Sequence, residues 1–398
     1  MKEMTSSKKI LVVHNYYQIP GGEDTVVSNE MQLLQEHGHE VLLYSRNNSE
    51  LKTFSKIQKL FLPITTVFNP RTYKEVKQII RKNKIDIIHV HNTLNLVSPS
   101  VYYAAKSCKV PVVQTIHNFR LVCPAATFYR EGHICEECVE KGLSCAVKYK
   151  CYRGSRVQTL ACVISTKIHR ILGTYRRLNY ICLTEFNKEK LLGINVAEKK
   201  EIINAKRVFV KPNMTFETVK ESECQVENYY LFVGRVEKIK GLEILIKAFE
   251  GLSSEKLLIA GKGTEFEEYK NFVEQQNIKN VEFLGFQSKE QLQPLMQKAK
   301  AMIVPSQWYE GFPMTIVEAF SLGTPVIGSD IGNVGSLIVE NVNGWKFSHD
   351  SVEDLQKKIM VCNQTPREEL QVICDEKLLP EGNYQTLMKI YDHAIQNQ

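Results

Sequence analysis

The chain has 398 residues, of which 43% are hydrophobic and 24% charged, and its formal net charge is +7. This length suits two α/β domains, each with an ordinary hydrophobic core. No apolar run approaches the roughly 20 residues of a membrane-spanning helix, which argues against an integral membrane protein. The first residues pass from a short basic tail directly into a predicted strand, so we expect no signal peptide.

The positive charge is concentrated in the first half of the chain. Residues 1–210 hold 32 Lys and Arg against 17 Asp and Glu, a net charge of +15, whereas residues 211–398 hold 19 against 27, a net charge of −8. A basic half indicates an anionic partner. Because nucleic-acid-binding motifs are absent, an anionic membrane surface or a lipid phosphate fits better than nucleic acid. We therefore expect a cytoplasmic protein attached peripherally to the inner face of the cell membrane.

In chain order, the first half begins with a strand at residues 10–13, a Gly21-Gly22 pair and a helix at about residues 24–37. Because glycine lacks a side chain, such a pair between a strand and a helix lets the backbone approach a ligand closely. A plain tight turn has the same pattern. The further elements predicted before residue 119 are strands at residues 41–44, 85–92 and 112–117 and a helix at residues 73–82.

Two of these strands end in histidine. His91 follows an apolar run, and His117 ends the sequence Thr115-Ile-His117. The carboxyl ends of parallel strands meet at one edge of the sheet, where ligands bind in open α/β folds, so we expect both side chains at that edge. A histidine at a strand end is more often only a partly exposed polar residue.

A cysteine-bearing insertion, residues 119–153, follows His117. It holds five of the 11 cysteines: Cys123, Cys135, Cys138, Cys145 and Cys151. The spacing of Cys135 and Cys138 is typical of a structural zinc ligand pair, which two of the other three cysteines can complete. Free thiols and disulfides are the alternatives, because five cysteines exceed four ligands, but a chain without a secretion signal favours metal over disulfides. We therefore expect one structural zinc here.

An amphipathic helix is predicted at residues 155–177, and we expect its apolar stripe to pack on the core and its basic face to be solvated. A strand at residues 180–184 and another helix follow. Pro212 and Asn213 then break a strand-like run where the charge balance changes sign. The predicted organisation is a domain at residues 1–210, a domain at residues 211–382 and a C-terminal helix at residues 383–398.

The second half begins with a strand at residues 229–233 and the sequence Gly234-Arg235-x4-Lys240-Gly241, which leads into a helix. Arg235 and Lys240 beside a glycine loop and a helix N-terminus suit a diphosphate, through charge-assisted hydrogen bonds and the helix dipole. A solvated surface turn is the alternative. The next strands are predicted at residues 257–260 and 281–286.

The most informative stretch is residues 303–326, IVPSQWYEGFPMTIVEAFSLGTPV, which predicts a strand, a loop, a helix and a second strand. Glu310 lies at the carboxyl end of the first strand, and Glu318 lies about two turns into the helix. Their oxygens can accept hydrogen bonds from a ribose or a sugar. From the spacing alone, two solvated helix-end glutamates are an equally good interpretation.

This E-x7-E pattern, with G-R-x4-K-G some 70 residues earlier and T-x-H ending at His117, resembles the retaining glycosyltransferases of family 4. The resemblance implies an α/β protein of the GT-B type, with two Rossmann-like domains facing across a cleft and a C-terminal helix that crosses back to the first domain. The sequence H-N-F-R-L-x-C-P after His117 is similar to a bacterial polysaccharide-type subtype with a cysteine-bearing insertion. Residues 330–335 depart from the turn usual in the family.

The resemblance also implies roles for individual residues. Glu310 and His117 would orient the donor sugar as the catalytic pair, and His91 would lie on the acceptor side. The implied donor-binding residues are Gly22, Arg235, Lys240 and Glu318. The donor would be a UDP- or GDP-linked sugar, and the acceptor a saccharide or a polyprenyl-diphosphate-linked sugar. No D-x-D triplet is present, so we expect no cofactor for the chemistry.

Two other functions are considered. A nucleotide-sugar epimerase can use the same fold but needs no acceptor and gains nothing from a basic first half. A non-catalytic nucleotide-sugar-binding protein would not need the combination of His117, Arg235, Lys240, Glu310 and Glu318.

Overall fold

The computed structural model describes residues 7–18, 21–216, 225–372 and 375–398. The chain divides into two compact units. The first unit runs to Phe128, resumes at Cys135–Met214 and includes Pro380–Gln398; the second comprises Tyr129–Ile134 and Thr215–Leu379.

The first half of the chain alternates strands and helices. Its elements are β1 (Lys9–Tyr16), α1 (Gly22–Glu36), β2 (Glu40–Asn47), α2 (Lys56–Val67), α3 (Pro70–Asn83), β3 (Ile87–Val90), α4 (Ser100–Cys108), β4 (Val112–Ile116), β5 (Tyr129–Arg130), β6 (His133–Ile134), α5 (Glu137–Glu140), α6 (Ser144–Lys148), α7 (Arg156–Ile171), β7 (Asn179–Cys182), α8 (Glu185–Ala197) and β8 (Val208–Val210).

The first unit is built on a parallel six-stranded sheet in the order β2-β1-β3-β4-β7-β8. Its central strands β3 and β4 are buried along their whole length, as expected for a parallel sheet that is covered on both faces. The C-terminal helix α15 (Pro380–Gln396) packs on this unit. Tyr391 of α15 is fully buried, and the Tyr384 hydroxyl lies 2.8 Å from Nε2 of His39. The predicted return of the terminal helix to the first domain is confirmed.

The second unit repeats the same architecture. Its elements are β9 (Tyr230–Val233), α9 (Leu242–Glu250), β10 (Leu257–Ala260), α10 (Phe266–Gln275), β11 (Val281–Gly285), α11 (Lys289–Lys298), β12 (Met302–Val304), α12 (Met314–Ser321), β13 (Val326–Ser329), α13 (Gly332–Leu337), β14 (Gly344–Phe347) and α14 (Val352–Gln364).

These strands form a second parallel sheet, in the order β11-β10-β9-β12-β13-β14. Apolar side chains on its two faces pack against the helices in two buried clusters, one of which contains Trp345 and Phe249 and the other Phe320 and Met302. Two α/β units with parallel sheets confirm the predicted class of two Rossmann-like domains.

The structure corrects one expectation about α7. The helix ends at Ile171, and its predicted core stripe faces outward: Val157 is 69% exposed and Ile171 76%. The reason is that its polar residues turn inward to hydrogen-bond. Ser165 donates to the carbonyl of Thr66, and Nε2 of His169 lies 3.0 Å from the carbonyl oxygen of Val67, both at the end of α2.

The neighbouring helix α2, which the sequence did not predict, also exposes apolar side chains. The α2–α7 face is defined here by the exposed residues Ile57, Leu60, Phe61 and Ile64 of α2 and Val157, Leu160 and Ile164 of α7. Leu60 is 75% exposed. Among the described residues, no helix has the length and apolar character needed to cross a membrane.

Candidate functional site

The first unit brings the two predicted histidines into contact. His91 follows β3 and His117 follows β4, and these strands pair in parallel, so their carboxyl ends lie side by side. Nδ1 of His91 lies 2.9 Å from Nε2 of His117, and the two rings stack with centroids 5.2 Å apart. His91 is buried, whereas His117 is half-buried and lines a small cavity.

Behind this pair lies a buried polar network that the sequence did not predict. Oε1 of Glu30, on α1, is 2.8 Å from Nδ1 of His89 and 3.5 Å from Nε2 of His91, and its Oε2 is 3.0 Å from the Lys211 ammonium. Glu30, His89, His91 and Lys211 are each at most 4% exposed. A carboxylate in the periodic pattern of an amphipathic helix gives no sign that it is buried.

The electrostatics of the network follow from burial. Desolvation lowers the pKa of His91 to about 4 and that of His117 well below its ordinary value. Burial opposes ionisation of Glu30, but the nearby His89 and Lys211 outweigh it and hold the carboxyl pKa well below its usual range. At neutral pH the candidate site therefore has a carboxylate at its back and neutral His91 and His117 at its front.

Glu30, His89 and His91 offer ligand atoms within 4.8 Å of one another, a spacing that suits a metal ion. Two observations argue against a bound metal ion. The Lys211 ammonium already neutralises Glu30, and the ring nitrogens of His89 meet the hydroxyls of Tyr391 and Thr115, each at 2.7 Å. We therefore interpret this group as a hydrogen-bond network.

Gly22 opens α1, close to the same sheet edge. A Cβ added to Gly22 would meet nothing within 4 Å, so internal packing does not require glycine there. Burial raises the pKa of its neighbour Glu23 to about 8, which leaves that side chain neutral at pH 7 and hydrogen-bonded to the Tyr17 hydroxyl. Close approach of a ligand to Gly22 stays a prediction.

In the second unit, Glu310 lies in the loop after β12 and is 8% exposed. Its Oε1 accepts hydrogen bonds from Lys240 Nζ and Ser306 Oγ, both at 2.6 Å, and from Trp308 Nε1 at 3.0 Å. Burial opposes ionisation, yet these partners keep the pKa of Glu310 below its ordinary value. Within the described part of the chain Oε2 makes no hydrogen bond, so an ionised oxygen is left for a ligand.

Backbone packing brings Lys240 to Glu310. Gly241, the N-cap residue of α9, has φ +75°, and a Cβ there would lie 1.8 Å from the carbonyl oxygen of Pro305. Only glycine permits this approach of the Lys240 loop to the loop after β12. On the other side, Nδ2 of Asn333 donates to the carbonyls of Glu310 and Gly311 at 2.7 and 2.8 Å. Asn333 lies where the sequence departs from the family turn, so that motif could not reveal it.

The structure gives less information on the other two predicted donor-binding residues of this unit, Arg235 and Glu318. Arg235 is 63% exposed at its side chain and pairs with Glu237 at 2.6 Å. Glu318 is half-buried on α12, as the eight-residue spacing from Glu310 predicts. The roles of both in donor binding stay predictions.

No disulfide joins the described cysteines of the insertion. Cys138 and Cys151 pack against the small apolar cluster of Leu143, Ala146 and Val163. Burial, with a further contribution from the thiols of Cys123, Cys151 and Cys145, raises the pKa of Cys138 to about 12. Among the described residues, the one metal-compatible group within 4.8 Å is that of Glu30, so the thiols lie farther apart than bound ligands would. Zinc stays a prediction.

Comparison with known proteins covers both halves. Residues 20–133 match the model of "Glycosyltransferase Family 4", and residues 213–373 match that of "Glycosyl transferases group 1". An uncharacterised glycosyltransferase of Methanocaldococcus jannaschii is 26% identical over 88% of this chain and 87% of its own. The lipopolysaccharide 1,6-galactosyltransferase of Escherichia coli is 27% identical over 45% of this chain and 52% of its own.

Among solved structures, Anabaena HepE in complex with UDP superposes with a TM-score of 0.65 at 17% identity and covers 97% of this chain and 100% of its own. This structural likeness supports the fold, and the two family matches indicate glycosyltransferase activity. Epimerase and non-catalytic functions are not favoured. The chain therefore has the GT-B fold, and each of its halves matches a glycosyltransferase family model.

Proposed function

We propose that this protein transfers a sugar from a nucleotide-sugar donor to an acceptor hydroxyl with retention of anomeric configuration. The observation that carries the proposal is the environment of Glu310. Its carboxylate is buried, kept ionised by Lys240 and open to a ligand at Oε2. Such a carboxylate suits a donor sugar, whose hydroxyls donate hydrogen bonds to it.

In this proposal no side chain becomes a covalent nucleophile. Glu310 and neutral His117 orient the sugar, and Lys240 stabilises the negative charge that develops on the departing diphosphate. The acceptor hydroxyl attacks the anomeric carbon on the face that the diphosphate leaves, and its proton passes to the leaving phosphate oxygen. Arg235 and Gly22 assist at the diphosphate, and Glu318 holds the ribose. The chemistry requires no cofactor.

The donor is a UDP- or GDP-linked sugar. UDP is supported by the Anabaena complex, and a saccharide acceptor by the galactosyltransferase of Escherichia coli that acts in lipopolysaccharide. We propose an acceptor that is a saccharide or a polyprenyl-diphosphate-linked sugar, in the synthesis of bacterial cell-surface polysaccharide, with His91 on its side of the site.

Turnover tests this function directly. The protein is incubated with UDP- and GDP-linked sugars, each with and without a polyprenyl-diphosphate-linked acceptor, and the products are followed by mass spectrometry. A transferase releases nucleoside diphosphate and extends the acceptor. An epimerase changes the sugar without acceptor, and a binding protein changes nothing; either result would reject the proposal.

We also propose that the α2–α7 face attaches the protein peripherally to an anionic membrane leaflet. Apolar side chains on this face are exposed, and three basic residues border the groove between the helices: Lys52, Lys59 and Arg153. The described residues give these three cations no acidic partner within ion-pair distance. Exposed apolar side chains with unpaired cations beside them suit a surface of acidic lipid headgroups.

Sedimentation with vesicles tests the attachment. Binding to phosphatidylglycerol vesicles is expected to fall as salt rises, because salt screens the attraction. Each basic residue contributes about 1 kcal/mol, so replacing Lys59 and Arg153 by Gln should weaken binding roughly 30-fold. The matched control is Lys256→Gln in the second unit, which should bind normally. Equal binding to phosphatidylcholine vesicles would contradict the proposal.

A further inference from the structure

We infer that Glu30 is a positioning residue that acts through His91 to select which ring nitrogen of His117 faces the ligand. The inference rests on the proposed function for the use of His117 in binding a sugar. The tautomer itself is a property of the free protein and is measurable without any substrate.

The first step concerns His91. Its Nε2 is buried and faces Oε1 of Glu30 at 3.5 Å, and the described residues offer it no other hydrogen-bond partner. A carboxylate oxygen can only accept, so a proton on Nε2 of His91 is attracted to it, whereas a lone pair there would be repelled. Glu30 therefore favours His91 with the proton on Nε2 and the lone pair on Nδ1.

The second step passes this choice to His117. Nδ1 of His91 and Nε2 of His117 are 2.9 Å apart, so one atom must donate and the other accept. Since Nδ1 of His91 carries the lone pair, Nε2 of His117 carries the proton. A neutral imidazole holds one ring proton, which leaves Nδ1 of His117 as a bare acceptor.

The third step is what this acceptor meets. Nδ1 of His117 has no hydrogen-bond partner among the described residues, and it is not fully buried, so a ligand can reach it. His117 lines a cavity of about 90 Å³ together with Asn118 and Arg120. A bare imidazole nitrogen accepts a hydrogen bond from a hydroxyl, so His117 is set to recognise a sugar hydroxyl and to disfavour a group that can only accept.

Glu30 can hold this role because its own surroundings are fixed. Oε2 accepts from Lys211, whose ammonium also donates to Oδ1 of Asn383 at 2.8 Å. Oε1 also lies 2.8 Å from Nδ1 of His89. These contacts come from α1, β3, the segment after β8 and α15, so packing of the first unit locks the carboxylate in place.

The test is nitrogen-detected NMR of protein labelled with ¹⁵N in the imidazole rings, at pH 7.5 and without ligand. We expect His117 as a single tautomer with the proton on Nε2. In Glu30→Gln, the Lys211 ammonium holds the amide oxygen, so the amide nitrogen faces His91 as a donor, and His117 with its proton on Nδ1 should become populated. Glu30→Asp keeps the charge and should restore the single tautomer. Tyr391→Phe removes a hydroxyl from the same network but leaves Glu30 in place, so the tautomer of His117 should not change.

The result that would overturn the inference is a wild-type His117 with its proton on Nδ1, or an unchanged tautomer in Glu30→Gln. If Glu30→Gln does not fold, His91→Leu replaces it, because this variant breaks the relay while Glu30 stays. An unchanged single tautomer of His117 in folded His91→Leu would likewise contradict it.

Kinetics then connect the tautomer to recognition. With an active donor, Glu30→Gln should lower kcat/KM about tenfold, and the loss should disappear with a deoxy donor that lacks the hydroxyl bound by His117. A loss that is equal for all deoxy donors indicates a general structural defect and rejects the positioning role. Absence of turnover with any donor would reject the proposed function, whereas the NMR result would stand by itself.

Discussion

The two candidate regions hold their functional side chains by opposite means. In the first unit, His91 and His117 are neutral and are held by a buried network that gathers residues from α1, β3, β4 and α15. In the second unit, Glu310 is charged and is held by Lys240, Ser306 and Trp308 from two loops. The first region is thus built for hydrogen-bond direction, and the second for charge.

The charge of Glu310 provides the sharpest contrast. Glu310→Gln keeps the shape of the side chain and removes the carboxylate, so turnover should fall about 100-fold or more, the scale of one preorganised electrostatic contact. Its matched control is Glu255→Gln, which removes a carboxylate of similar exposure that pairs with Lys300 at 3.0 Å before β10. Steady-state kinetics measure both. Equal losses would show that the second region does not depend on charge at the site.

Lys240 forms a largely buried ion pair, whereas Arg235 is exposed, so the two residues should contribute differently to donor binding. Lys240→Ala should weaken binding of a nucleoside diphosphate by about 1.5–3 kcal/mol, because it removes a cation and leaves the buried Glu310 carboxylate unpaired. Arg235 is largely exposed, so Arg235→Ala should cost less, at the lower end of that range. Titration calorimetry compares them. Unchanged affinity in both variants would exclude a diphosphate clamp.

Acid should affect the two regions at different pH. His91 titrates near pH 4 when folded and near 6.5 when unfolded, so the unfolded chain gains protons first and the first unit loses stability as pH falls from 6.5 to 4. The expected slope is about 1.4 kcal/mol per pH unit for each such histidine. The lowered pKa of Glu310 stabilises the second unit until pH falls below about 4.5.

Glu23 works in the opposite direction, because its raised pKa makes the folded state gain protons as pH falls from 8. The measurement is therefore made in a Glu23→Gln background, with hydrogen exchange resolved for each unit. Loss of protection that begins at the same pH in both units would contradict the contrast.

The smallest effect on transfer is expected from the cysteine insertion. We predict about one zinc per chain, held mainly by Cys135 and Cys138 together with two of Cys123, Cys145 and Cys151. Elemental analysis of protein purified without chelators measures it, with Cys108→Ser as the control variant. Less than a tenth of a zinc per folded chain would indicate free thiols.

The two regions also differ in how far the sequence predicts them. Glu310, Glu318 and Lys240 belong to contiguous motifs, and His91 and His117 end apolar runs, so parallel-sheet geometry brings each group to a sheet edge. Glu30, Lys211 and Tyr391 are distant in sequence and lie in ordinary helix or linker patterns, so only the tertiary fold reveals the network. The orientation of α7 escaped prediction because Ser165 and His169 find hydrogen-bond partners that outweigh the apolar stripe.

The central claim is sugar transfer with retention, and the anomeric configuration of the product tests it most directly. The purified protein, an active nucleotide sugar and its acceptor are allowed to react, and the new linkage is examined by proton NMR through its anomeric coupling constant. The account predicts the same configuration at the anomeric carbon as in the donor. An inverted linkage would contradict it, whatever the variants of Glu310 and His117 show.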